Sequence, residues 1–189
     1  MDKLKEINQK HGFWPQAVGL EETGVGSSDL FNPELMQIAL GLAENNPRKR
    51  AIVRIHSSLA QEQHIMVNAI LGESYVQPHK HEEKEKTETF RIVKGRGYLV
   101  IFDDTGEITN KIELDSSPDG RKIATVRPGK WHTFVPMSSE TVVLEAKRQP
   151  VGGYKAETDK TIPDWAPNPE DLQACKAYLS KLKASLDNS

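Results

Sequence analysis

Gly72-Glu-Ser-Tyr-Val-Gln-Pro-His79-Lys-His81-Glu-Glu-Lys-Glu-Lys-Thr-Glu88-Thr-Phe-Arg-Ile-Val-Lys-Gly95 is the stretch around which the rest of the chain is arranged. His79 and His81 are separated by one residue. Side chains on a strand alternate faces, so residues at i and i+2 point the same way. Two imidazoles side by side are the start of a metal site. Beyond them the chain turns through a charged run and re-enters a β-rich segment at Glu88-Thr-Phe-Arg-Ile-Val.

Outward from this stretch the pattern has period 2. The runs 51–56, 63–71, 75–80, 88–93, 98–102, 108–114, 122–126, 131–135 and 141–147 read as nine short strands. Turn signals separate several of them, including Gly95-Arg96-Gly97, Asp103-Asp104-Thr105-Gly106 and Ser117-Pro118-Asp119-Gly120. Closely spaced strands with no helical period between them predict an antiparallel sandwich or barrel over residues 47–150. Upstream, residues 1–46 divide into a weak helix over 1–11, a glycine-rich arm over 12–28 and a stronger helix. That helix has Asn32 as cap, Pro33 in the first turn and Leu35, Ile38, Ala39 and Leu42 at helical spacing. Downstream, 151–189 reads as an extended tail over the barrel, then a helix opened by Asn168-Pro169-Glu170-Asp171. Leu172, Cys175, Leu179 and Leu182 form its apolar stripe. Cys175 is thus expected in the core, not in chemistry.

Composition narrows the function. With 189 residues, 37% hydrophobic and 28% charged residues and a net charge of −2, the chain suits a globular domain. That charge gives no reason to expect nucleic acid. A single cysteine excludes an intrachain disulfide. No apolar run approaches the ~18 residues of a membrane span, and the N-terminus lacks a secretory pattern, so a cytoplasmic protein is expected.

The His79/His81 pair needs further ligands. Glu85 and Glu88 compete for the third place. Glu88 opens a returning strand and can face the pair across a ladder, whereas Glu85 lies in the charged turn, so Glu88 is chosen. His132, in Arg127-Pro-Gly-Lys-Trp-His-Thr-Phe134, is the fourth. Three histidines and a carboxylate leave coordination positions open on one divalent ion per chain. Fe, Mn, Ni, Co and Zn all suit it. Strand parity adds Tyr75 and Gln77 beside the histidines, Arg54 and His56 on the first strand, and Glu145 and Lys147 on the last. Tyr75 and His56 are candidate proton carriers, and Arg54, Gln77, Glu145 and Lys147 candidate substrate contacts. Arg54, His56 and Lys147 together would suit an anionic substrate. His64, in a run whose faces could go either way, is left without a role.

These motifs resemble the cupin superfamily. His79, His81, Glu88 and Gly95 match its first motif, although the spacer between His81 and Glu88 is six residues, longer than the family's usual three or four. Gly129 and His132 match the second, with Arg127 in the usual proline place. The resemblance implies a jelly-roll (double-stranded β-helix) barrel, mainly β, with metal ligands at His79, His81, Glu88 and His132. Within the superfamily the chain is similar to the WbuC-type metalloproteins over about residues 47–167. Arg54-Ile-His56, Tyr75-Val-Gln-Pro-His-Lys-His81, Trp131-His-Thr133, Val143-Leu-Glu-Ala-Lys147 and Asp164-Trp-Ala-Pro167 carry that similarity. It implies a setting in bacterial surface-polysaccharide biosynthesis. The expected function is a metal-dependent isomerase or epimerase (with Fe(II), an oxygenase) acting on a sugar or nucleotide sugar. A non-catalytic ligand sensor is the alternative. A homodimer is expected, because small barrels of this kind often pair through exposed strand edges.

Overall fold

The computed structural model describes residues 33–56 and 59–187. The helix expected over 1–11, the arm over 12–28 and the Asn32 cap lie outside the described residues. The elements run α1 (Pro33–Glu44), β1 (Arg50–Arg54), β2 (Gln63–Leu71), β3 (Glu88–Lys94), β4 (Arg96–Phe102), β5 (Ile108–Asp115), β6 (Ile123–Val126), β7 (Trp131–Pro136), β8 (Glu140–Arg148), a 3₁₀ turn (Ala156–Thr158) and α2 (Leu172–Asp187).

The strands form two antiparallel sheets, one in the order β1-β2-β8-β3-β6 and one in the order β5-β4-β7. The last strand lies between the second and third, and the chain passes repeatedly from one sheet to the other. This is jelly-roll topology. Two expectations change. First, the run 75–80 is not a strand; its β-pairing is limited to single bridges, His79 to His132 and Lys80 to Thr161. Pro78 has no N–H to donate, and the Gln77 carbonyl accepts from the His79 ring, so no ladder can extend there. Second, among the described residues no ladder joins the two sheets, so the expected closed barrel is an open sandwich.

Alternation along the strands gives the molecule three apolar layers. Val67 and Ala69 of β2 and Val142 of β8 turn outward and pack against Leu35, Ala39, Leu40 and Ala43 of α1. Ile70, Phe90, Val126 and Val143 turn inward and meet Leu99, Leu114 and Phe134 between the sheets. Val100, Phe102, Trp131 and Val135, on the outer face of the smaller sheet, pack against Leu179, Leu182 and Leu186 of α2. Each fully buried Leu contributes about 1.5–3 kcal/mol. The two helices therefore cover the faces the sandwich would otherwise leave apolar and wet.

α2 starts later than its sequence suggests. Asp171, not Asn168, is its cap, with the Asp171 carboxylate accepting from the Ala174 N–H at 2.9 Å. Asn168 instead accepts from the Glu170 N–H at 3.0 Å. Leu172 is exposed as a result, and the buried stripe is Cys175, Leu179, Leu182 and Leu186. Gly95, the glycine that closes the first motif, has φ +81 in the turn between β3 and β4, a conformation L side chains rarely adopt.

Candidate metal centre

Each of the four expected ligands is placed by a different part of the fold. Glu88 is the first residue of β3, between Lys147 of β8 and Val126 of β6. His132 is the second residue of β7, and its backbone exchanges two hydrogen bonds with His79 (2.9 and 3.0 Å). His81 follows two residues later, so the i, i+2 pair and the cross-strand neighbour converge on one point. The ligand atoms of His79, His81, Glu88 and His132 all lie within 4.8 Å of one another.

The two carboxylate oxygens of Glu88 divide between two imidazoles. Oε1 is 3.1 Å from His81 Nε2, and Oε2 is 2.7 Å from His132 Nε2. Both nitrogens and Oε2 are buried, yet none completes a hydrogen bond of acceptable angle. All three rings are fixed from behind. Nδ1 of His79 donates to the Gln77 carbonyl (2.9 Å), Nδ1 of His132 to the Lys130 carbonyl (2.8 Å) and Nδ1 of His81 to the Asp159 carbonyl. A carbonyl can only accept, so each Nδ1 carries the proton and each Nε2 presents a lone pair to the centre. Three imidazole lone pairs and one carboxylate, with buried atoms left unsatisfied, fit a divalent cation of the borderline type.

The electrostatics agree. Burial, then the neighbouring His132, holds His79 well below its ordinary range. Burial alone would raise the Glu88 carboxyl, but contacts to His132 and His81 hold it well below the carboxylate range. Burial also works against charge on His132, and Glu88 more than reverses this, raising it. A proton between His132 and Glu88 thus meets the same negative charge a cation would, and binding a metal would release it.

The centre opens into a cavity of about 290 Å³ between the sheets. Arg54, Gln77, Glu145 and Lys147 line it. Lys147 Nζ lies 3.7 Å from Glu88 Oε1 and 3.2 Å from Asp159 Oδ1. Burial would lower its ammonium, but Glu145, Glu88 and Asp159 together raise it. Glu145 accepts from the Asn68 amide at 2.9 Å, and burial followed by the Glu88 charge pushes it up to about 7.

The two candidate proton carriers lie elsewhere. Tyr75 donates its hydroxyl to the Pro167 carbonyl (3.1 Å), packs edge-on to Tyr178 and lines a separate cavity of about 120 Å³ beside Cys175. Parity failed because 75–80 lacks strand geometry. His56 is buried just past the end of β1, stacked on His64 with ring centroids 3.9 Å apart, and does not line the main cavity. His64, given no role from sequence, does line it, along with Met66 and Asn68 of the same β2 face. Period 2 along β2, anchored on Asn68, was the signal that could have found it.

Burial holds His56 down to about 4. In the unfolded chain a histidine titrates near 6.5, so between these values the unfolded state binds more protons and stability rises with pH. The contribution is fully present above about pH 6.5 and lost as pH falls toward about 4. Glu145, raised to about 7, works in the opposite direction over the same window and is common to both proteins, so urea titrations should show His56→Gln losing on the order of 1–3 kcal/mol less than wild type on acidification. Equal slopes would remove His56 from the account.

The tail after β8 closes one side. The Tyr154 N–H donates to the Leu59 carbonyl at 2.8 Å, and Thr161 exchanges backbone hydrogen bonds with Lys80 (2.9 and 3.1 Å). Between these ties Asp159 faces Lys147 and Lys86. Lys86 Nζ, fully buried, lies 3.2 Å from the Thr158 and Asp159 carbonyls, 3.4 Å from Asp159 Oδ1 and 3.0 Å from Glu83 Oε2. Neither Asp159 nor Lys86 was singled out from sequence. No helix among the described residues is long and apolar enough to cross a membrane.

A family model described as a domain of unknown function, DUF6016, matches residues 31–114. No curated protein matches. Among solved structures, a cupin 2 conserved barrel domain protein from Rhodopseudomonas palustris is similar at 9% identity and a TM-score of 0.45, over 61% of this chain and 68% of that one. Oxalate decarboxylase from Lactobacillus farciminis, in a formate complex, is similar at 13% identity and a TM-score of 0.45, over 66% of this chain and 38% of that one. A conserved protein of unknown function from Streptococcus pyogenes, SPY1581, is similar at 10% identity and a TM-score of 0.43, over 56% of this chain and 78% of that one.

Proposed function

We propose that this protein is a metal-dependent enzyme of the cupin type acting on a small polar molecule. The WbuC-type resemblance suggests a sugar or nucleotide sugar of surface-polysaccharide biosynthesis. The observation that carries the reading is the convergence of three Nε2 lone pairs, each set by an Nδ1–carbonyl hydrogen bond, on the Glu88 carboxylate. A divalent ion (Fe, Mn, Ni, Co or Zn) held there would supply Lewis-acid stabilisation of negative charge on ligand oxygens. The chain's own groups do the rest. Lys147 places a positive charge beside the centre, and Asn68 orients Glu145. Glu145, pushed up to about 7, is the group on this wall able to hold or hand over a proton near neutrality. Isomerisation or epimerisation suits this set, and oxygenation is the outcome if the ion is Fe(II).

The test is elemental analysis of purified protein, followed by assay of the metal-loaded and chelator-stripped forms against sugars, sugar phosphates and nucleotide sugars. Conversion by the loaded form alone supports the reading. Metal with tight binding and no conversion supports the sensor instead. In the same proposal the protein is a cytoplasmic homodimer. The edge strands β1 and β6 carry exposed Ile52 and Ile123, the kind of edge that pairing covers. Sedimentation checks this.

A further inference from the structure

His64, near the start of β2, and Gln149, just past the end of β8, meet on the wall of the main cavity. Glu145, Lys147 and Gln149 stand at i, i+2 and i+4, and all three line the cavity. Gln149 continues the β2–β8 pairing by donating its N–H to the Glu62 carbonyl. Lys147 faces Glu88 in the β3–β8 register, and Gln149 lies about 7 Å beyond Lys147 along the chain, toward the tail.

One carbonyl fixes the direction of every hydrogen bond in the pair. His64 Nε2 lies 3.2 Å from the Leu59 carbonyl, which can only accept, so Nε2 carries the proton. Burial keeps His64 below its ordinary range, so the ring is neutral and Nδ1 is an acceptor. Nδ1 lies 3.3 Å from Gln149 Nε2 and receives the amide N–H. The ring is held in place by stacking on His56, with ring centroids 3.9 Å apart. The amide therefore has its Nε2 turned to His64 and its Oε1 turned away. Gln149 is fully buried, yet Oε1 has no hydrogen-bond partner among the described residues.

A buried acceptor without a partner is unfavourable, and a donor brought into the cavity relieves it. Charge selects the kind of donor. Lys147 is the cross-strand neighbour of His64 and lines the same wall, so an ammonium is disfavoured there. A carboxylate or phosphate oxygen would set one lone pair against another. A neutral hydroxyl fits. Beside the pair, Leu59 and Tyr154 line the cavity and are exposed at its edge, with Tyr154 stacked on His64 at 6.2 Å and 27°. Their apolar surfaces suit the C–H bonds of a carbon skeleton that carries hydroxyls.

We infer that Gln149 Oε1 accepts a hydroxyl of a polyhydroxylated substrate, in a subsite that His64 orients and that is separate from the four clustered ligands. Gln149 is then a specificity residue and His64 a positioning residue. As a statement about substrate, the inference rests on the metal-enzyme reading above; the hydroxyl subsite itself does not.

Two measurements test it. Nitrogen NMR should find the His64 proton on Nε2; a proton on Nδ1 would turn the Gln149 amide round and overturn the subsite. Equilibrium titration with glucose, galactose, mannose and xylose, on protein with and without added metal, should give saturable binding of at least one. Among monodeoxy forms of the tightest binder, loss of one particular hydroxyl should weaken binding to wild type by at least about tenfold. In Gln149→Met the same deletion should cost less than about twofold, because the acceptor is already gone. His64→Phe keeps the stack and loses the Nδ1 acceptor, so it should weaken the parent sugar and leave the deoxy form unchanged. If Gln149→Met does not fold, His64→Phe provides the same comparison. Equal losses in wild type and variant, or no binding of any of the four sugars to wild type, overturn the subsite. The expected pattern in a protein that takes up no metal would sink the enzyme reading and leave the subsite standing. Metal-dependent turnover of a sugar, with equal losses in wild type and variant, would do the reverse.

Discussion

Glu88→Ala is expected to weaken divalent-metal binding by at least about a hundredfold, so that dialysed protein retains only traces of the metal held by wild type. Glu88 is the only carboxylate among the four clustered ligands. Its oxygens lie 3.1 Å from His81 and 2.7 Å from His132, with Lys147 at 3.7 Å from Oε1. Without it, a cation would enter a buried pocket already facing Lys147, with three neutral imidazoles and no carboxylate among its ligands. The same substitution destabilises the metal-free protein. His132 loses its counter-charge in a buried place, while Lys147 keeps Asp159 at 3.2 Å, and breaking a buried pair costs about 3–5 kcal/mol. Glu88→Gln keeps the volume and loses the charge, so it should retain more stability than metal. Glu85 is exposed, and Glu85→Ala should leave both properties unchanged. Elemental analysis with chemical denaturation reads both effects. Full metal in Glu88→Ala, with loss in Glu85→Ala, would show that the ligand set is wrong.

Lys86→Ala should be the most damaging substitution away from the ligands. Its ammonium is fully buried and has four oxygens around it, two of them backbone carbonyls of the tail. Removal takes a donor from the Thr158 carbonyl, leaves the Asp159 carbonyl with His81 alone and leaves the Asp159 carboxylate with Lys147 alone. The expected loss is about 3–5 kcal/mol. At roughly 2–4 °C per kcal/mol for a chain of this size, the thermal midpoint should fall by on the order of 10 °C. The tail between Gln149 and Thr161 should also become more open to proteolysis, because Lys86 is a main tie between it and the sandwich. A drop of only 1–2 °C, with unchanged cleavage, would mean that the other backbone ties hold the tail without it.

Most of the sandwich was legible because period 2 is a property of neighbouring residues. The runs 63–71, 88–93 and 141–147 read as strands and are strands, and Val67, Ala69 and Val142 show the same alternation in three dimensions. His79, His81 and His132 were legible because spacing and turn chemistry are local. Glu88 was separable from Glu85 because one begins a strand and the other does not. Long-range contacts were not legible. Lys86 belongs to a charged turn and reads as solvated, yet carbonyls more than seventy positions away in sequence bury it. Asp159 and Lys160 lie in a segment without period, where parity says nothing. Tyr75 shows the opposite failure, a parity argument applied to a segment that has no ladder to enforce it.

His81 takes its orientation from the carbonyl of Asp159, 78 positions later in the chain. The order of synthesis therefore matters to the site. When β8 has just emerged from the ribosome both sheets can form and His79, His132 and Glu88 can meet, while Asp159, which fixes the His81 ring, is still inside the exit tunnel. A nascent chain halted after Arg148 would have its sandwich and an incomplete ligand set. The ligand set is complete only when the segment up to Thr161 has emerged and is tied to Lys80, so this protein acquires its sandwich before its four-residue cluster.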